Sequence, residues 1–181
     1  MTTAANSKVT LATAWLDGCS GCHMSLLDLD EVLLSLAPRI QVVFGPLVDA
    51  QHYPDSVDLA LVEGAVSNSD DWSLLTTIRR NSRLVVALGD CAVTSNVPSM
   101  RNTIPVNRLL DRVYMQDTEG SRVVPTDCVP TLARNVVPLH DVVKIDVHIP
   151  GCPPPPAVIA AVLLQVLDGR KVELPAIAKF G

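Results

Sequence analysis

Short runs rich in Val, Leu and Ala alternate along this chain with stretches whose apolar residues recur at helical spacing. Residues 9–15 are dense in β-formers and stop at Asp17-Gly18, which predicts a strand ending in a tight loop. Residues 24–36 then place Leu26, Leu27, Leu29, Leu33, Leu34 and Leu36 on a broad apolar face, predicting one helix that Pro38 closes. Further strands are predicted over 40–44 and 57–62, the second stopping at Glu63-Gly64; both are apolar enough to be covered on two faces. Ser69-Asp70-Asp71 predicts the cap of a helix running to about Arg80, with an acidic first turn and a basic last turn that suit the macrodipole. A strand over 84–88 follows. Between 96 and 138 the pattern supports only a short helix around 106–113 within a polar, proline-punctuated stretch. Residues 142–149 predict a last strand, and Pro153 to Pro156 lead into an apolar helix over 157–167 that stops near Gly169.

Strands alternating with helices predict an α/β fold: a parallel sheet with helices on both faces, whose loops at the carboxyl ends of the strands build the site. A length of 181 residues suits one domain over 1–181, and no repeat, low-complexity tract or linker divides it.

Charge narrows the partners. Fourteen basic and 19 acidic side chains give a net charge of −5, and no basic run exists to follow a phosphate backbone, so nucleic acid is not expected. The longest wholly apolar run, 157–164, is too short for a transmembrane segment. At 48% hydrophobic residues and a mean hydropathy of +0.31, more apolar surface is expected than a lone monomer would expose. Residues 1–8 show neither a twin-arginine pair nor a secretory pattern, which predicts a cytoplasmic protein. There, an odd count of five cysteines points to ligands before disulfides.

Four of those cysteines occupy glycine- or proline-rich corners after predicted strands: Cys19 and Cys22 in Asp17-Gly18-Cys19-Ser20-Gly21-Cys22-His23, Cys91 after Gly89-Asp90, and Cys152 in Pro150-Gly151-Cys152-Pro153. Cys22 and Cys91 are 69 positions apart, and Cys91 and Cys152 are 61 apart, so a whole domain must fold to unite them. Several chemistries fit the parts. C-x-x-C-H is the attachment signature of c-type haem, which is normally installed outside the cytoplasm. A C-x-x-C between strand and helix matches a thioredoxin-like redox pair but leaves Cys91 and Cys152 without a role. Four thiolates could hold structural zinc, although such sites usually draw on close-set knuckles. An iron-sulfur cluster takes thiolates from loops whose backbone N–H groups also reach the sulfides. Cys128 is read as a small buried hydrophobe. Flavin is the other class considered, since doubly wound sheets bind FMN at the same edge, but the cysteine loop occupies the place of a phosphate cradle.

The motifs in order resemble those of nickel-iron hydrogenase small subunits. Cys19-Ser20-Gly21-Cys22-His23-Met24-Ser25-Leu26-Leu27 is similar to their C-x-G-C-x-x-S-L-L element, Val62-Glu63-Gly64-Ala65-Val66 to V-E-G-x-[IV], Gly89-Asp90-Cys91-Ala92 to G-x-C-A, and Pro150-Gly151-Cys152-Pro153-Pro154 to P-G-C-P-P. The resemblance implies a flavodoxin-like domain in which Cys19, Cys22, Cys91 and Cys152 bind one 4Fe-4S cluster. It also implies a separate large subunit that carries the nickel-iron site. The subunit of similar fold in NADH:quinone oxidoreductase is the nearest alternative, but that family typically has adjacent cysteines where this chain separates Cys19 from Cys22 by two residues. With no further cysteines for medial and distal clusters and no twin-arginine leader, the chain resembles the small subunit of cytoplasmic, NAD-reducing bidirectional hydrogenases, which pass electrons to a diaphorase module bearing flavin and iron-sulfur clusters. Glu63 is a candidate proton relay or a brace for a ligand loop. His23 and Asp17 are candidates to tune the cluster, and the helix over 157–167 is expected to be buried on both sides, partly against the large subunit.

Overall fold

The computed structural model describes residues 8–120 and 122–181. Most of the segment read for an export signal, residues 1–7, lies outside the described residues. In chain order the strands are β1 (Val9–Trp15), β2 (Ile40–Phe44), β3 (Val57–Glu63), β4 (Val66–Asn68), β5 (Ser82–Leu88), β6 (Leu132–Val137) and β7 (Val147–Ile149). The helices are α1 (Gly21–Leu27), α2 (Glu31–Leu36), α3 (Ser69–Asn81), α4 (Asp90–Thr94), α5 (Val106–Asp111) and α6 (Pro156–Leu167). Five strands form a parallel sheet in the order β2-β1-β3-β5-β7, and β4 pairs antiparallel with β6 beside it. Counting only its own members, the sheet runs 2-1-3-4-5, the flavodoxin-like order.

Alternation along the central strands feeds two cores. Leu59 and Leu61 of β3, with Val86 and Leu88 of β5, face one side, where they pack with Leu26, Leu29 and Leu36 and with Val158, Ile159, Val162 and Leu163 of α6. Ala60, Val62, Val85 and Ala87 face the other, against Leu75 and Ile78 of α3, Ala92 of α4 and Leu139. The smaller side chains on this second face leave room for α3 to lie close to the sheet.

Several expectations change. The single helix over 24–36 is two, α1 and α2, broken at Asp30, whose φ of 46° and ψ of −117° lie outside the helical region. The break turns Leu29 and Leu36 inward and leaves Leu34 74% exposed. It also starts α1 at Gly21, so Cys22 and His23 sit in its first turn. The last strand is only Val147–Ile149, and residues 142–146 instead form a turn and irregular chain after the 3-10 turn at Leu139–Asp141. Within this chain helix α6 buries one face and leaves Ala157 and Leu164 exposed on the other. In the segment that carried little signal, a 3-10 helix (Val97–Thr103) is held to β4 and β6 by side chains: Arg101 donates to the Ser67 and Ala133 carbonyls, and Asn102 brackets Val136. Among the described residues no helix is long and apolar enough to cross a membrane.

The cap of α3 is Asn68, not the expected Ser69 to Asp71: its Oδ1 accepts from the N–H groups of Asp70 (2.8 Å) and Asp71 (3.0 Å). Asn68→Ala is therefore expected to destabilise the chain by about 1 kcal/mol, measured as a lower urea midpoint at unchanged m-value.

Candidate metal centre

The carboxyl ends of β1, β3, β5 and β7 lie side by side, and the loops leaving them are stitched together. Leu16 N–H donates to the Glu63 carbonyl (3.0 Å), and Asp17 and Ala65 exchange backbone hydrogen bonds of 3.1 and 2.8 Å. At the other side Gly89 N–H donates to Ile149 O (2.8 Å) and Asp90 N–H to Gly151 O (2.9 Å). Ser25 of α1 donates its hydroxyl to Pro154 O at 2.5 Å, which joins the first cysteine element to the last.

This stitching brings the predicted ligands into one place. Cys19, Cys22, Cys91 and Cys152 line a single cavity of about 60 Å³, together with Gly18, Gly21, Glu63, Gly64, Asp90, Gly151 and Pro153. Two positions show how tight the enclosure is. Gly89 has φ +85°, and a Cβ there would collide with Cys22 Sγ; Gly64, also at φ +85°, leaves no room for a Cβ beside Leu16 and Asp17. Cys128 is not part of the cavity. Far from being a buried core residue, it is exposed in a loop at φ 57°, because the proline-flanked segment around it packs no core.

Glu63, 2% exposed, ends β3 beneath this cavity. Its Oε2 accepts from the His23 backbone N–H at 2.6 Å and lies 2.7 Å from His23 Nδ1. The carboxylate thus braces the turn that carries Cys22, one of the roles expected of it. His23 is mostly buried rather than a free loop residue. Asp17 contributes through its backbone bridge to Ala65.

Two residues not singled out from sequence contribute directly. Asp90, 4% exposed, accepts at Oδ1 from Gly151 N–H (2.6 Å) and at Oδ2 from Gly181 N–H (3.0 Å). Asn96 places its side-chain Nδ2 3.7 Å from Cys152 Sγ. A short acid in a G-x-C corner and a polar residue a few positions beyond are the only traces these leave in sequence.

The electrostatics call for a cation. Burial pushes the Cys22 thiol well above its ordinary range, and the charges of Glu63, Cys91, Cys19 and Cys152 push it further. Burial likewise raises Cys91, opposed by a hydrogen bond from Val97 N–H and reinforced by Cys152, Cys19 and Glu63. Such thiols become thiolates readily only when positive charge sits among them. Among the described residues no group of three or more Cys, His, Asp or Glu side chains closes around one ion. Zinc would need its sulfurs at ~2.3 Å from a single point. Sulfurs arranged around a cavity, with the Asn96 side-chain N–H aimed at one of them, fit a multinuclear iron-sulfur group better.

A model of the family described as NADH ubiquinone oxidoreductase, 20 Kd subunit, matches residues 19–166. Among curated proteins, a subunit of the vhu F420-non-reducing hydrogenase of Methanocaldococcus jannaschii is 40% identical over 162 residues, covering 88% of this chain and 56% of the relative. The chain thus spans little more than half the length of that protein. The NAD-reducing hydrogenase HoxS subunit delta of Cupriavidus necator is 36% identical over 174 residues, covering 93% of this chain and 83% of the relative. A chain in the crystal structure of an NAD+-reducing NiFe-hydrogenase in the H2-reduced state superposes with a TM-score of 0.91 at 38% identity, covering 96% of this chain and 98% of that one.

The enclosure around Gly89 generates a direct test. Gly89→Ala is expected to cost about 1–3 kcal/mol, from a strained φ and the collision with Cys22. Urea unfolding reads that loss, and iron analysis of anaerobically prepared protein should show less iron per chain than in the wild type.

Proposed function

The chain belongs to the NADH ubiquinone oxidoreductase 20 Kd subunit family, with hydrogenase subunits among its relatives, and on that premise we propose that it is the electron-relaying small subunit of a soluble, cytoplasmic, NAD-reducing nickel-iron hydrogenase. The observation that carries this reading is the convergence of Cys19, Cys22, Cys91 and Cys152 on one cavity from three distant segments. These four residues would hold one 4Fe-4S cluster, which when bound supplies a centre that takes up and releases single electrons.

The chain's own side chains prepare that site. Glu63 fixes the Cys22 turn through His23, and Ser25 pins α1 to the Cys152 loop. The hydrogen bond between Glu63 Oε2 and His23 Nδ1 is also a link along which a proton can move, which makes Glu63 the candidate relay of this chain. Dihydrogen would be split on a large subunit bearing the nickel-iron site, and a diaphorase module with flavin and iron-sulfur clusters would reduce NAD. Residues 1–181 would serve as a single flavodoxin-like domain between them.

The name of the matching family favours a second reading, an iron-sulfur subunit of an NADH:quinone oxidoreductase-like complex. The two-residue spacing between Cys19 and Cys22 and the hydrogenase relatives support the first. FMN has less support, because Cys19 to Cys22 fill the corner where its phosphate would lie.

The test is anaerobic purification of the chain with its natural partners, followed by an assay of hydrogen-dependent NAD reduction. Activity with hydrogen supports the first reading; NADH-dependent quinone reduction without it supports the second. Cys152→Ala should abolish the Mössbauer signature of an intact four-iron cluster and the hydrogen-dependent rate. Cys128→Ser should leave iron and acid-labile sulfide at the wild-type ratio, and an equal loss there would mean that the fourth ligand is misassigned.

A further inference from the structure

Asp90, next to Cys91 in the cavity wall, and Asn96, five positions after Cys91, both reach across to the segment that carries Cys152, 61 positions after Cys91 in the chain. Resting on the iron-sulfur reading above, we infer that Asp90 and Asn96 are positioning residues that set the reduction potential of this site in opposite directions, Asp90 downward and Asn96 upward.

Asp90 lines the cavity and is 4% exposed. Its carboxyl oxygens accept from the Gly151 and Gly181 N–H groups, while its own N–H donates to the Gly151 carbonyl. This reciprocal pair locks the Cys91 corner onto the Cys152 corner. No ion pair reaches Asp90 among the described residues. A carboxylate held only by neutral backbone dipoles, in a poorly hydrated wall, keeps its field directed into the cavity. Adding an electron beside it is disfavoured.

Asn96 has the opposite polarity. It follows Ser95, whose φ of 64° turns the chain back after α4, and its Nδ2 stands 3.7 Å from Cys152 Sγ. The Asn96 amide is thus a neutral donor held against one of the four sulfurs. A donor on a thiolate draws off negative charge and favours the reduced state.

The experiment is a redox titration followed by EPR on the intact complex, purified anaerobically, with iron and sulfide measured on every sample. At the wild-type midpoint, Asp90→Asn, which retains an acceptor for Gly151, should raise the reduced-to-oxidised ratio about tenfold. Asn96→Leu should lower it about threefold. The double variant should lie between the two, and Asp90→Glu, keeping the charge, should stay within about twofold of the wild type. Should Asp90→Asn lose its iron, Asp90→Glu and Asn96→Leu still decide the matter. Shifts of the same sign, or unshifted potentials at wild-type iron content, overturn the inference while leaving the iron-sulfur reading intact. A wild-type complex without iron or sulfide overturns that reading and this inference with it.

Discussion

A parallel sheet exposes the ends of its strands as a row of backbone groups that the ladder no longer satisfies, and the whole site depends on how this chain satisfies them. The loops leaving β1 and β3 bond to each other through Asp17 and Ala65, and those leaving β5 and β7 through Gly89, Asp90 and Gly151. Unpaired backbone groups here would each cost about 1–3 kcal/mol, so the cross-links are close to obligatory once the sheet forms. Their by-product is that residues far apart in sequence come to share one rim. Cysteines added to such loops need no local chelating motif, since sheet register supplies the spacing.

That arrangement explains what could be read from sequence and what could not. The runs of β3 and β5 are apolar on both faces, so their existence and order follow from composition and alternation, and the cysteine-bearing corners follow from where those runs stop. The break at Asp30 was hidden because six leucines kept helical spacing on either side of it. The segment from 96 to 138 was nearly silent for a different reason. Arg101 and Asn102 hold it through side-chain bonds to distant carbonyls, and such contacts carry no periodicity. Asp90 was visible only as one letter of a motif, because its partners, Gly151 and Gly181, are brought to it by the fold.

Charge is distributed unevenly around the rim. Four thiols and two buried acids, Glu63 and Asp90, share a small cavity that no basic side chain among the described residues lines. Burial and the neighbouring negative charges raise the Cys22 and Cys91 thiols, an effect that a cation among them would reverse. Filled with iron, the same negative shell would stabilise the oxidised form, and the N–H donor from Asn96 would oppose that tendency. The balance between acids and donors, more than the sulfurs themselves, is then the adjustable part of the design.

Access completes the argument. Cys19 and Cys152 are exposed, whereas Cys22 and Cys91 lie deeper. Around them the chain displays Trp15, Met24 and Val97, all at least half exposed, within about six residues of a ligand or at the strand end beside it. Apolar side chains of this size are disfavoured in water and favoured where a second protein covers them. A one-electron centre gains from that cover, because excluding water lowers the dielectric around it and strengthens the influence of each neighbouring charge. The same exposed rim would therefore serve both to dock a partner and to make the fields of Asp90 and Glu63 felt.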